Sequence, residues 1–460
     1  MQRVRGIKRR RGMAVDFSLL PAEIPETSKP PSRLVWAVAF LVLVLIGIFA
    51  VLMFWPRSLP TNTFDFWCTL FLFPVGIPAL IVLLRYQHYA GHKLDIQMSN
   101  RATRQYNDSV FAAASVPISV LGVSHRFSAI ADENAIASIQ SGTLRLTVQE
   151  LFARDSEPDK VRWLEAPEVK LHAGTDEDDR KRHTDVTRWL FKELLAELAG
   201  AINALPMQVG LGVHLLVSGM LTGEQNEALW RECWERFEFH TPCVFAGGAG
   251  RSDLQMVDGW LDQVTAGQQR EVKLVVAIQL HPLLADSPPR GTAEAGVALL
   301  LMPDALASQH RVARMASLYR PERGPFDLSN GALMRALKWA GSTAKAISGG
   351  WQTGLDQTHA GALRKSAVLA GLEILPVDLD SRVGHAGIAA PWLAVACAAS
   401  SLSTAAPIQI VFAGQGEGVD CAVLRDNSGE DCSATTASTA LSAKTTEPQG
   451  NLRWHDATTL

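Results

Sequence analysis

The stretch "DSRVGHAGIAAPWLAVACAA", Asp380–Ala399, reads as a Gly-His pair at the mouth of a helix of Ala, Val and Leu. A helix that is apolar all round is a buried one. His385 is therefore an ionisable side chain delivered to the edge of a core.

Working outward, the surrounding segments alternate between strand and helix patterns. "ASVPISVLGVSHRFSA" is a β-branched run ending in a turn, and "ENAIASIQSG" a helix after it. Then come "VGLGVHLLVS" (strand), "TGEQNEALWRECWERF" (helix), "TPCVFAGG" (strand), "DLQMVDGWLDQVTAG" (helix), "EVKLVVAIQLHP" and "AGVALLLMP" (strands). After Leu301 the rhythm repeats: "NGALMRALKWAG", "KSAVLAGL" and "APWLAVACAASSL" as helices, then "PIQIVFAGQGEG" and "DCAVLR" as strands. The alternation predicts an α/β fold with largely parallel sheets. Each half closes on a paired-strand motif, which predicts an internal pseudo-repeat. "GTDEDDRKRHTDVTRWLFKELLAELAG" holds an acidic-basic block, Asp176–Arg182, read as a solvated loop or a docking patch. Thr184 or Asp185 would cap the helix carrying Val186, Trp189, Leu190 and Leu194.

The chain has 460 residues and a formal net charge of -3, so global charge gives no reason to expect a nucleic-acid partner. Cys68, Cys233, Cys243, Cys397, Cys421 and Cys432 are scattered without a Cys-x-x-Cys pair. That pattern reads as reduced thiols, not as a disulfide framework or zinc knuckle. His88 and His92 share a helix face but lack further ligands, so they read as solvated. No cofactor or metal is expected.

Two uncharged runs, Leu34–Trp55 and Phe66–Leu84, are long enough to cross a bilayer core of roughly 30 Å. Pro74 and Pro78 predict a kink in the second, and Trp36, Trp55 and Trp67 lie where aromatic belts sit. The head carries Arg3, Arg5, Lys8, Arg9, Arg10 and Arg11, Arg85 and Lys93 follow the second run, and the connector holds only Arg57. The positive-inside rule then places both termini of a multi-pass protein in the cytoplasm, with the bilayer as a partner. The apolar run starts too late for a cleaved signal peptide. The expected organisation is a basic cytoplasmic tail over 1–33, two transmembrane helices over 34–84 and a linker helix over 85–112. A first α/β half over 113–303, a second over 304–426 and a disordered tail over 427–460, rich in Ser, Thr and Ala, complete it.

The opening stretch resembles the second catalytic-His motif of the β-ketoacyl synthases of the thiolase-like superfamily, a Lys-Ser-x-x-Gly-His run followed by a small-residue helix. Ser381, Gly384 and His385 match, and Asp380 stands where the Lys would be. "IVFAGQGEGVDCAVLR" is similar to the terminal glycine-rich turn and strand pair, and "RGTAEAGVALLLMPD" to the end of the N-terminal half. "ISGGWQTGLDQTHAGAL" sits where the family has a His-Gly-Thr-Gly-Thr turn followed by Asp, and Asp356 fits the latter. The resemblance spans roughly residues 115–426 and implies a thiolase-like pseudo-duplicated α/β domain, with a homodimer as a further implication.

It also implies a Cys-His-His site in which a thiolate at a helix N-terminus attacks an acyl thioester. The corresponding elbow falls in "FAGGAGRSDLQM", around Gly250 and Arg251, where no Cys stands. Cys243 lies on the preceding strand. Ser252 reads as a helix cap, with a nucleophile as the alternative. The first His is missing between Ile347 and Asp356, and His359 falls on the following helix. His385 then reads as a structural His bonded to backbone at a helix start. "GGAGR" is a candidate anion cradle, whereas "GQGEG" does not match a phosphate loop and Glu417 would oppose phosphate.

A second resemblance concerns "GLGVHLLVSGMLTGEQNEALWRECWERFEFHTPCVFAGG", Gly210–Gly248, which is similar to the accessory proteins that adapt lipase effectors to the type VI secretion spike. It implies other proteins as partners, a secreted lipase effector and the spike protein among them. The resulting expectation is a catalytically inactive, membrane-anchored adaptor. The alternative is a membrane-associated acyl-transfer or condensing enzyme using His385 with Ser252 or Cys243. A third reading is a subunit of an envelope machine without cargo. Trp230, Trp234 and Phe237, with Phe239, are candidates for a partner surface, set against a plain core role.

Overall fold

The computed structural model describes residues 20–25, 30–56, 60, 62–153, 156–167, 169–245, 252–265, 271–329 and 331–427. Most of the basic head, the elbow at Gly250 and Arg251, Cys432 and nearly all of the Ser/Thr-rich tail lie outside the described residues. The chain divides into two compact units, with the boundary after Ala112.

In the first unit, α1 (Arg33–Phe54) and α2 (Phe64–Ala114) are both long and apolar enough to cross a membrane. They form a hairpin. Gly47 lets Pro74 of α2 approach so closely that a Cβ at 47 would stand 2.9 Å from it, and Trp55 meets Phe66 edge-on with ring centroids 5.0 Å apart. The helix runs through Pro74 and Pro78, and the span and the expected linker helix are one continuous element. The polar half of α2 holds an extended arm. The Asn100 side chain accepts from the Ile24 N–H (2.8 Å) and donates to the Ile24 carbonyl (2.9 Å), and Arg104 forks onto Glu23. Were both helices to cross a bilayer, residues 20–25 and 100–107 would lie on the same side of it, as these contacts also require. A chain carrying Glu23→Cys and Arg104→Cys is therefore expected to give a linked peptide with a short bismaleimide in intact membranes. Mass spectrometry that finds each cysteine modified but never joined would separate the arm from α2.

The second unit opens with β1 (Ile118–Arg126), α3 (Ile136–Ser141), β2 (Val148–Gln149), β3 (Asp159–Lys160) and α4 (Asp176–Asn203). The first half continues through β4 (Leu211–Ser218), α5 (Gly223–Arg236), β5 (Cys243–Phe245), α6 (Gln255–Thr265), β6 (Val272–Gln279) and β7 (Ala295–Pro303). After α7 (Asp304–His310) come β8 (Ala316–Leu318), β9 (Glu322–Gly324), α8 (Ala332–Trp339), β10 (Gly349–Thr353), α9 (Gln357–Leu369) and β11 (Val377–Asp378). Then follow α10 (Leu379–Arg382), α11 (Ala390–Ser400), β12 (Ile408–Gln415) and β13 (Gly418–Asp426).

The expected duplication is present in the topology. One half has strand order β5-β4-β6-β7-β1 and the other β11-β10-β12-β13-β8, joined where β8 pairs with β1. In each, the first three strands of that order are parallel and the next two pairings antiparallel. The repeat keeps its register through the middle of each half. The helix N-caps Thr222 and Asp356 are separated by the same stretch of chain as the strand starts Cys243 and Val377.

Side-chain alternation along the strands sorts the core into layers. Val275 and Ala277 of β6 point to one side, with α6 and α11, while Leu274, Val276 and Ile278 point to the other, with α4 and α5. In β12, Val411 and Ala413 face that same central layer, while Ile410 and Phe412 face α8 and α9. The central layer lies between the two halves of this one continuous sheet, so α11 has no outward face. Every residue from Ala390 to Ala399 is buried, which is why its sequence carries only small and apolar side chains.

The block Asp176–Arg182 is corrected: it is the first two turns of α4, not a loop. Thr175, not Thr184 or Asp185, is the N-cap, in a reciprocal capping box with Asp178, and four acidic residues fill the first turn where the helix dipole favours them. Asp179, Arg182 and His183 share the inward face and are buried. The aromatic set of α5 is corrected as a partner surface. Trp230 is fully buried, edge-on to Phe191 at 4.9 Å; Trp234 is 7% exposed; and Phe237 packs half-buried on the same outer core.

Candidate functional site

His385 lies on a ribbon of three short segments. Arg162 bridges Ala293 and Thr292 bridges His385, so segments from three parts of the chain run side by side. The His385 N–H donates to the Gly291 carbonyl (2.8 Å), and the Ala293 N–H donates to the His385 carbonyl (3.0 Å). The Gly-His pair follows from this approach. Gly384 has φ +106, and a Cβ there would stand 2.8 Å from the Ala293 Cβ. Gly387, at φ +49, leaves room for the Gln279 side chain from the end of β6, whose Oε1 accepts from the Ile388 N–H at 3.3 Å.

Asp380 is held from the end of β10. Its carboxylate accepts from Thr353 Oγ1 (2.6 Å) and from the Gly354 N–H (2.7 Å). His385 Nδ1 stands 3.6 Å from Asp380 Oδ1, beyond a formed hydrogen bond but within ion-pair range. The His385 side chain is 43% exposed while its Nδ1 is buried. The ring does not make the backbone bonds expected of it: among the described residues it bonds to no backbone group, and it has a carboxylate on one side and an open face on the other. The Asp380 carboxylate holds the His385 pKa above its ordinary value, against the opposing effect of burial.

The sign of the pH dependence follows. A raised folded-state pKa adds stability that is full below the unfolded value of 6.5 and is lost as pH rises through the folded value. His385→Gln should lower the unfolding temperature more at pH 5.5 than at pH 9. Equal losses at both values would show that the pair carries no charge interaction.

Behind the ribbon is a buried polar network. Glu294 accepts from Arg182 at 3.0 and 2.5 Å and from the Leu164 and His281 N–H groups at 2.9 Å each. Asp179 accepts from the Leu283, Leu284 and Ala285 N–H groups. His183 Nδ1 accepts from the Met220 N–H, and its Nε2 lies 2.9 Å from the His281 carbonyl. Burial pushes His183 and His281 below the usual imidazole range. The network fixes the β6–β7 connector and thereby the ribbon that carries His385. No sequence motif announces it. Charged residues repeating at helical spacing among apolar ones in α4 were the available signal.

The nucleophile candidates fall elsewhere. Cys243 on β5 packs against the outer core of the first half, and burial raises its pKa. Ser252 stands before α6, and its carbonyl accepts from the Trp392 indole at 2.9 Å. The helix starts only at Gln255, so Ser252 precedes the capping position. Cys233 donates to the Arg188 carbonyl (3.8 Å), and Cys397 and Cys421 are fully buried; burial raises all three. Among the described residues no thiol contacts His385. By the register of the repeat, the sequence counterpart of His385 is Arg251, where the elbow would carry its nucleophile. His359 stacks on Phe326 at 3.9 Å and pairs with Asp356, the N-cap of its own helix.

No family model matches the chain, and no curated protein matches it. Among solved structures it is similar to an oxazolomycin ketosynthase domain of Streptomyces albus, with 17% identity over 68% of this chain and 96% of that one, TM-score 0.43. It is similar to the peroxisomal 3-ketoacyl-CoA thiolase of Saccharomyces cerevisiae, itself described as two core domains of identical topology, with 10% identity over 68% and 98%, TM-score 0.41. The ketosynthase from module 1 of the bacillaene synthase of Bacillus amyloliquefaciens is similar at 11% identity over 67% and 76%, TM-score 0.45. These are likenesses of fold.

Proposed function

We propose that the protein is a membrane-anchored binding module on a thiolase-like scaffold, an adaptor that does not carry out cysteine-based acyl transfer. The observation that carries this reading is the placement of the thiols. The four described cysteines of the α/β unit are packed into cores or strands away from His385, each with its pKa raised by burial, and the elbow sequence offers Arg251 instead of a Cys. A thiol kept protonated is a poor nucleophile. The likeness of Gly210–Gly248, whose described residues form β4, α5 and β5, to type VI lipase adaptors supports effector delivery at a bacterial inner membrane as the process served. The test is an acyl-thioester probe applied to the full chain. No covalent adduct is expected on any cysteine or on Ser252, while a phospholipase effector is expected to co-purify with the chain and to be lost when the α/β unit is deleted. An adduct on Cys243 or Ser252 would end the reading.

The Asp380–His385 pair favours a second reading, acyl processing without a covalent step. An imidazole backed by a carboxylate and open on its far side can take a proton from water as the water oxygen bonds the thioester carbon. It can then return the proton to the departing thiolate as the C–S bond breaks. That reading requires hydrolysis of a short-chain acyl-CoA that disappears in His385→Gln.

A further inference from the structure

The internal repeat lines up α5 of the first half with α9 of the second, and the two helices treat the same position in opposite ways. In that register Trp230, Trp234, Phe237 and Phe239 correspond to Arg364, Val368, Gly371 and Glu373. In the first half the aromatic side chains close the space beside the sheet edge: Trp230 is fully buried, Trp234 meets Phe239 at 4.6 Å, and Phe237 stacks on Phe239 at 5.3 Å. In the second half, with all four aromatic rings gone and Ala360, Gly361 and Ala367 on the helix, a cavity of about 390 Å³ lies between α9 and the Glu373–Pro376 segment, with Phe412 at its wall. Its rim exposes Val368 (61%) and Leu375 (64%).

We propose that this cavity is a docking site for a protein partner that inserts aromatic side chains, supplying from outside what Trp230 and Trp234 supply within the first half. Its volume is in the range of about 300–1,000 Å³ that buries a ligand group. Aromatic anchors entering a pocket are also the commonest source of binding energy at interfaces. Arg364 and Glu373 line the cavity, and neither has an ion-pair partner among the described residues. The partner's flanking residues should therefore include one charge of each sign. This inference rests on the adaptor reading and names the surface through which it would work.

The probe is a diazirine derivative of N-acetyl-tryptophanamide, photolysed with the full chain in lipid nanodiscs and located by mass spectrometry. Adducts are expected within residues 357–376, competed by unlabelled N-acetyl-tryptophanamide. They should fall at least fivefold in Gly361→Trp, which fills the cavity from a position where an added Cβ meets nothing within 4 Å. Leu375→Ser, a rim change at an exposed residue, should reduce them about twofold without touching the helix, which covers the case of a misfolded Gly361→Trp. Adducts confined to other segments, or unchanged in both variants, would overturn the proposal. So would equal labelling by an aliphatic dodecyl diazirine, which would make the cavity a lipid site. The labelling does not depend on effector capture: captured effector with no label here leaves the adaptor and removes the site, whereas label here with no effector does the reverse.

Discussion

Arg182→Met is expected to cost about 3–5 kcal/mol of folding stability, because it leaves the Glu294 carboxylate buried without its countercharge. Both side chains are essentially inaccessible, at 1% and 0% exposure. Taking a carboxylate out of water is costly, and the bidentate Arg182 contact offsets that cost together with the two backbone N–H groups that Glu294 accepts from. A domain's whole stability is about 5–15 kcal/mol, so the loss should be visible in expression as well as in urea titration of the solubilised chain. The double variant Arg182→Met with Glu294→Met removes the orphaned charge and should recover part of the loss. Recovery stays incomplete because the Leu164 and His281 N–H groups lose their acceptor, at about 1–3 kcal/mol each. A single variant unfolding at the wild-type urea midpoint would mean that the pair is solvated. The same change should release the ribbon that holds His385, so the imidazole should titrate closer to its ordinary value in histidine-resolved NMR.

How far the sequence carries depends on which physics a segment obeys. Where burial is two-sided the pattern is unambiguous. The Val/Ile/Leu runs of β6, β7, β12 and β13 and the all-apolar α11 could be placed from composition alone, because elements between two packed layers tolerate little else. Asp179, Arg182 and His183 defeated the same reasoning. Charged residues normally mark solvent, and nothing in one sequence says that Arg182 will meet Glu294, more than a hundred positions on, or that Asp179 and His183 will meet the backbone around residues 281–285. The α5 aromatics fail in the opposite direction: four bulky rings exceed what one helix face ordinarily buries, and the turn that carries Phe239 folds back onto Trp234 to bury them together. At the candidate site, His385 and the preceding Gly384 were legible, whereas the role of Gly387 was not and the carboxylate partner was visible only as a misfit. Asp380 in place of a Lys inverts the charge beside the imidazole, and the Thr353–Gly354 turn that anchors it becomes evident only when β10 and α10 are brought together.

Trp392→Ala is expected to cost another 3–5 kcal/mol or so and, unlike the Arg182 change, to act through the central layer. The indole is fully buried on α11 between the two halves of the sheet, where no solvent-facing side chain can swing in to fill the space. It also joins the halves, since its N–H donates to the Ser252 carbonyl just ahead of α6. Arg323 of β9 makes a second join nearby, donating to both Asp420 oxygens and to Asp253, each at 2.7 Å. Trp392→Phe separates packing from hydrogen bonding: it keeps most of the ring volume, strands one carbonyl, and should lose about 1 kcal/mol or slightly more. If the phenylalanine variant is as unstable as the alanine one, the indole's tie to Ser252, not its volume, holds the halves together. If both are near wild type, α11 is not the shared core. In a covalent acyl-transfer enzyme the segment before α6 would have to hold the nucleophile in place, so the phenylalanine variant should abolish turnover while the fold survives. In a binding module that segment is only a seam, and the same variant should leave partner capture unchanged.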